Sequence, residues 1–162
     1  MMEMKMTGNG PADLKAISKR IRSTATPKQI RKDLTAGLKA GAQPAAVKVK
    51  AAALALPAKP GGKSTGLRKK MARVTNVQVR TGGNQAGVKV RISRARMGSQ
   101  ASLPKVTNEG LWRHPVYGNR EHWVRQLSRR GWFDGAAASA AGSVGRELKR
   151  VVDTIQKRIE NY

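Results

Sequence analysis

Gly87-Val-Lys-Val-Arg-Ile-Ser-Arg94 is the stretch on which the fold turns. Val88, Val90 and Ile92 alternate with Lys89, Arg91 and Ser93. That period of two sets one strand face against a core and the other toward water. Upstream, Met71–Arg80 alternates in part, with Val77 and Val79 on one parity, and Thr81-Gly-Gly-Asn-Gln85 supplies turn residues between the two runs. The spacing predicts an antiparallel hairpin with one apolar and one basic face.

Helical periodicity flanks this hairpin on both sides. Leu14, Ile17 and Ile21 form one stripe over Pro11–Arg22, with Pro11 and Asp13 suited to a first turn. Thr26-Pro-Lys-Gln29 reads as the start of a second helix, with Thr26 and Gln29 as a capping box. Ile30, Leu34 and Leu38 continue it, and the pattern runs to about Leu56, with a kink expected near Gly41–Pro44. Small residues between Ala40 and Ala46 suit close helix packing. From Gly135 to Tyr162, Ala141, Val144, Leu148, Val151 or Val152, Ile155 and Ile159 mark a long C-terminal helix, with Asp134 placed to cap it. The predicted fold is α+β: a small antiparallel sheet packed against a long helix of the N-terminal half and a long C-terminal helix. Residues 1–26 read as a basic N-terminal helix or arm, and 27–162 as a single α+β domain.

An aromatic-rich insert at about 95–133 lacks clear periodicity. All three tryptophans, both histidines and the only phenylalanine fall between Trp112 and Phe133. Trp112, Trp123, Trp132 and Phe133 are therefore expected to anchor the insert, against the body or a neighbouring subunit.

Charge sets the class of partner. The formal net charge is +24, from 33 Lys and Arg against 9 Asp and Glu. Residues 1–63 carry 13 basic and 3 acidic groups, residues 64–130 carry 15 and 2, and residues 131–162 carry 5 and 4. The excess thus spreads through segments with apolar periodicity, as on a folded body rather than a basic tail. Arg68, Lys69 and Lys70, then Arg91, Arg94 and Arg96, then Arg129 and Arg130 are the clusters expected to face nucleic acid or an acidic partner.

Several chemistries find no support. With no cysteine there is no disulfide framework, thiolate zinc site or cysteine nucleophile. Glu109 and Glu121 are the only acids between Asp33 and Asp134, too few for a magnesium-dependent nuclease. His114 and His122 lack companions for a metal site, and nothing positions a catalytic triad. Gly61-Gly-Lys-Ser-Thr65 misses the phosphate-loop spacing, because Pro57 stands where the first glycine is needed. Met1–Gly10 has no apolar export segment, and Ala51–Leu56 is far below the roughly 20 residues of a bilayer span. A soluble, non-enzymatic chain without cofactor or metal is expected, with no membrane contact.

Thr65-Gly-Leu-Arg68, Asn108-Glu-Gly110, Trp112-Arg-His-Pro115, Gly118-Asn-Arg120 and Gly131-Trp-Phe133, in this order between the helices, resemble a virion family of long-tailed double-stranded DNA phages. The family is the tail-completion or head–tail joining (neck connector) proteins, lambda Z-like, in the variety seen in actinobacterial phages. The likeness covers about residues 27–162, and its short motifs carry no catalytic residue. It implies a structural protein of the virion neck or tail, assembled in the host cytoplasm. There it would form a homo-oligomeric ring of about six copies. The implied neighbours are a tail terminator, a connector or stopper ring, the tail tube or the tape-measure protein, with non-specific contact to double-stranded DNA. The +24 charge departs from the acidic or neutral sheet common in that family. Composition alone suggests an alternative, a stand-alone nucleic-acid-binding protein of nucleoid-associated or ribosomal type. No helix-turn-helix or RNA-binding signature accompanies it.

Overall fold

In the computed structural model, which describes residues 3–6, 11–57, 66–82, 86–116 and 119–161, the alternating run forms the middle strand of a three-stranded sheet. Strand β1 spans Glu3–Met6, β2 Thr75–Arg80 and β3 Gly87–Ile92, in the order β1-β3-β2 and all antiparallel. Val77 faces Val90 and Val79 faces Val88, so these pairs share one face of the sheet. Val77, Val88, Val90 and Ile92 are buried there. β1 adds to the free edge of β3 in the register Met4↔Val90. Four residues are too few to carry a periodic signal, so this strand is found only through its backbone pairing.

The helices are α1 (Pro11–Ile21), α2 (Pro27–Leu54), α3 (Leu67–Val74), α4 (Arg94–Met97), α5 (Leu103–Glu109) and α6 (Trp132–Glu160). The sheet packs on α2, and α6 lies antiparallel along α2 and reaches β1. The pairing of α2 with α6 is legible in its contacts. Asp33 meets Arg158, Gly37 faces Val151, Gly41 faces Glu147 and Leu148, and Lys48 Nζ donates to the Ser139 carbonyl. Ile30, Leu34, Leu38, Ala42, Ala45, Ala46 and Val49 of α2 meet Ala137, Ala140, Val144, Leu148, Val152 and Ile155 of α6 in one core. Leu14, Ile17 and Ile21 of α1 are buried in the same core. This is the expected α+β architecture.

Local expectations changed at five places. The capping box at Thr26 does not form: Thr26 makes no side-chain cap bond, and Gln29 donates instead to Asp33 Oδ1 at 2.7 Å. α2 keeps the expected helical course through Gly37, Gly41 and Pro44, and only its end moves, from about Leu56 to Leu54. Met71–Val74 is helical rather than extended, because Leu67, Met71 and Val74 sit at helical spacing, with Met71 and Val74 buried. The strand begins only at Thr75, whose hydroxyl donates to the Met71 carbonyl at 2.8 Å. α6 begins at Trp132 rather than Gly135, with Asp134 inside its first turn and Gly131 (φ +68°) before it.

The fifth change is the insert. It holds α4, α5 and a two-stranded antiparallel ribbon, β4 (Leu111–Val116) with β5 (Asn119–Leu127). All nine residues of β5 are exposed. β5 is covered on neither face, so selection for alternating apolar residues is absent there and no period of two is written into that part of the sequence. The Gly61–Thr65 loop lies outside the described residues.

Candidate functional site

The ribbon grows from a polar lock between α5 and α6. Asn108 occupies its centre. Its Oδ1 accepts from the Phe133 backbone N–H at 2.9 Å, its Nδ2 donates to Asp134 Oδ2 at 2.7 Å, and its carbonyl accepts from the Gly131 N–H at 2.7 Å. One side chain thus satisfies a donor that the start of α6 would leave orphaned. Thr107 Oγ1 accepts from Trp132 Nε1 at 3.3 Å and donates to the Pro104 carbonyl at 2.9 Å. Ser128 Oγ donates to the Thr107 carbonyl, and the Ser128 N–H donates to the Gly110 carbonyl at 2.7 Å. Gly110 has φ +97°, and a Cβ there would lie 2.9 Å from Arg130 Cβ. Glycine is required on both counts. The Asn108-Glu-Gly110 and Gly131-Trp-Phe133 motifs are therefore two halves of one clasp. Trp132 and Phe133 are buried in it, ring centroids 5.9 Å apart and edge to face.

Beyond the clasp the ribbon meets the body mainly through α5. Leu111 is 53% exposed, Trp123 48% and Leu127 77%, and Val124 is exposed as well. The Arg113 guanidinium lies 5.5 Å from the centre of the Trp123 ring, whose Nε1 donates to the Arg120 carbonyl at 2.6 Å. The side chains of Trp112 and His114 lie outside the described residues. Every cation from Leu111 to Gly131 is arginine: Arg113, Arg120, Arg125, Arg129 and Arg130, against the single acid Glu121. Arginine and tryptophan are enriched, and lysine depleted, at protein-contact surfaces. Arginine's planar fork matches a carboxylate in two-point contact.

The other sequence-selected cations scatter. Arg68 on α3 is half-buried and donates to the Leu56 carbonyl at 2.9 Å, while Lys69 is exposed and Lys70 half-buried. α4, which carries exposed Arg94 and Arg96, packs on α3 and brings those two clusters into one neighbourhood. Arg91 lies on the sheet face opposite the core, its Nε buried without a partner among the described residues. Arg129 and Arg130 sit at the ribbon's base, both exposed.

Two basic surfaces were not singled out by sequence. One is an open groove lined by the α1–α2 turn and the first turns of α2, with Lys28, Arg31, Lys32 and Lys39 among its walls. Its signal was present in the helical spacing of Lys28, Lys32 and Lys39, hidden within the general excess of charge. The other lies along α6 at Arg146, Lys149, Arg150 and Lys157. There Arg150 is already engaged: its bidentate bond to Glu147, 2.7 Å and 3.0 Å, holds that carboxyl below its ordinary pKa. Among the described residues no group of three or more His, Asp or Glu could hold a metal ion, and no helix is long and apolar enough to cross a membrane.

No protein-family model, curated protein or solved structure matches this chain.

Proposed function

We propose that the chain is a structural assembly protein of a long-tailed phage, acting at tail completion or at the head–tail joint, in a ring of copies. Its role in this reading is binding rather than catalysis. The β4–β5 ribbon is the part that engages neighbours, and the observation that carries the reading is its exposure. A two-stranded ribbon gains little stability alone in water, and here exposed Leu111, Trp123, Val124 and Leu127 stand beside arginines. That combination fits a neighbour with an apolar surface rimmed by carboxylates, such as a connector or stopper ring, a tail terminator, the tail tube or the tape-measure end. The clasp supports the same reading in part, since it joins two of the five motifs on which the phage resemblance rests, Asn108–Gly110 and Gly131–Phe133.

A second copy fits the ribbon less well. Of the acids whose side chains are described, Asp33, Glu109, Glu147 and Glu160 are already in ion pairs and Asp134 bonds Asn108, which leaves Glu121 and Asp153 to meet a copy's arginines. Quantifying the chain in purified tailed particles tests the proposal. A fixed copy number per particle is expected. Absence from particles, with the chain recovered on nucleoid DNA or ribosomes, would favour the stand-alone nucleic-acid binder.

A further inference from the structure

The groove beside the α1–α2 turn has a different chemistry from the ribbon. It is open, spans about 700 Å³, and is lined mainly by apolar surface, including the aliphatic stems of Arg22, Lys28, Arg31, Lys32 and Lys39. Pro27, Thr35 and Ala36 complete its lining, so neither an acid nor an aromatic ring borders it. All five cations are exposed, and none makes an ion pair with another described residue. The nearest carboxylate in sequence, Asp33, is spent elsewhere: Oδ2 takes Arg158 at 2.8 Å and Oδ1 takes Gln29 at 2.7 Å.

The spacing of these cations selects the ligand. Lys28, Lys32 and Lys39 fall at i, i+4 and i+11, a single stripe of α2. Eleven residues of helix cover about 17 Å. One strand of a duplex advances about 3.4 Å per phosphate along the axis but winds around it as it does so, so a straight stripe of that length faces a short run of about two or three phosphates. Lysine acts as a mobile point charge, suited to a phosphate row, and it is depleted in protein–protein interfaces. Without aromatic rings the groove has no platform for unstacked bases.

We propose that the α1–α2 groove is a sequence-independent seat for the phosphate backbone of double-stranded DNA. It is separate from the arginine ribbon, and it stands whether or not the chain works in a phage neck. It also shifts the DNA-facing surface away from the clusters at Lys69 and Arg94–Arg96.

The test compares two charge-matched variants by fluorescence anisotropy on a labelled 30-base-pair duplex of arbitrary sequence. The groove variant carries Lys28→Gln, Arg31→Gln, Lys32→Gln and Lys39→Gln. The comparison variant carries Lys69→Gln, Arg73→Gln, Arg94→Gln and Arg96→Gln. With about 0.9 counterions released per phosphate contact, the groove variant is expected to lose about 2–3 from the slope of log affinity against log salt. Its affinity at 0.1 M salt is expected to fall at least about tenfold further than that of the comparison variant. Equal losses in both variants would mean diffuse charge alone and would overturn the proposal. So would an unaltered groove variant. Stronger binding of poly-L-glutamate than of DNA by the groove would assign it to an acidic protein instead, which also overturns it. If the groove variant fails to fold, acetylation of the wild-type chain decides. Lys28, Lys32 and Lys39 should be protected by the duplex, and equal labelling with and without DNA would contradict the seat.

Discussion

Asn108 does more for this fold than its polarity suggests. It replaces the missing side-chain cap of α6 from 25 residues upstream and holds the ribbon's two roots together. Asn108→Ala should cost about 1–2 kcal/mol, the usual penalty for a lost cap, read as a lower denaturation midpoint with an unchanged m-value. An unaltered midpoint would remove Asn108 from the clasp. The tryptophans divide by burial. Trp132, 3% exposed, fills the core beside Phe133, and Trp132→Ala should destabilise by about 3–5 kcal/mol. Trp123→Ala should cost less than about 1 kcal/mol in folding. It should instead weaken partner binding by about 2 kcal/mol, roughly thirtyfold, as an interface anchor would. Chemical denaturation and incorporation into particles separate the two residues, and the reverse ranking would refute this division. Sequence grouped Trp112, Trp123, Trp132 and Phe133 as anchors of the insert, and the structure buries Trp132 and Phe133 while leaving Trp123 exposed. Sequence could not sort them, because burial here follows from where α6 begins, and a distant asparagine decides that.

At the scale of elements, α2 and α6 are long helices brought close by glycine. A Cβ on Gly37 would stand 2.7 Å from Val151 Cγ1, and one on Gly41 would stand 3.0 Å from Glu147 Cγ. Val151 is short and branched, so it cannot swing aside freely. Gly37→Ala should therefore destabilise by about 1–2 kcal/mol despite the gain in helix propensity. Gly145→Ala, with nothing within 4 Å of the added methyl, should stabilise by about 0.5–1 kcal/mol. Thermal melts of both variants check the pair, and a stabilising Gly37→Ala would mean the helices pack further apart. The long helices and the β2–β3 hairpin were legible because each buries one face, and burial imposes a period. Strand β5 buries neither face and left no periodic trace. α3 was misread for another reason: eight residues of helix run directly into a strand, and their apolar positions also fit partial alternation.

For the whole molecule, the account separates a packed body from a projecting ribbon. The body holds the core of α1, α2, α6 and the three-stranded sheet. The ribbon stays outside that core, and the basic groove lies on the body at the α1–α2 turn. The charge total was plain from the sequence, but its division into a groove with three lysines and two arginines and a ribbon whose cations are all arginine depends on which cations the fold gathers. The central claim is that the ribbon exists to bind a neighbour, and replacing residues 113–125 with an Asn-Gly turn tests it most directly. The shortened chain keeps the root pairs Leu111↔Leu127 and Trp112↔Gln126 and should melt as the parent does, because none of the described residues it loses belongs to the core. Measured by complementation of a phage lacking the intact chain, the account predicts a folded protein that no longer enters particles. A folded shortened chain that still enters particles at the parental copy number would contradict it.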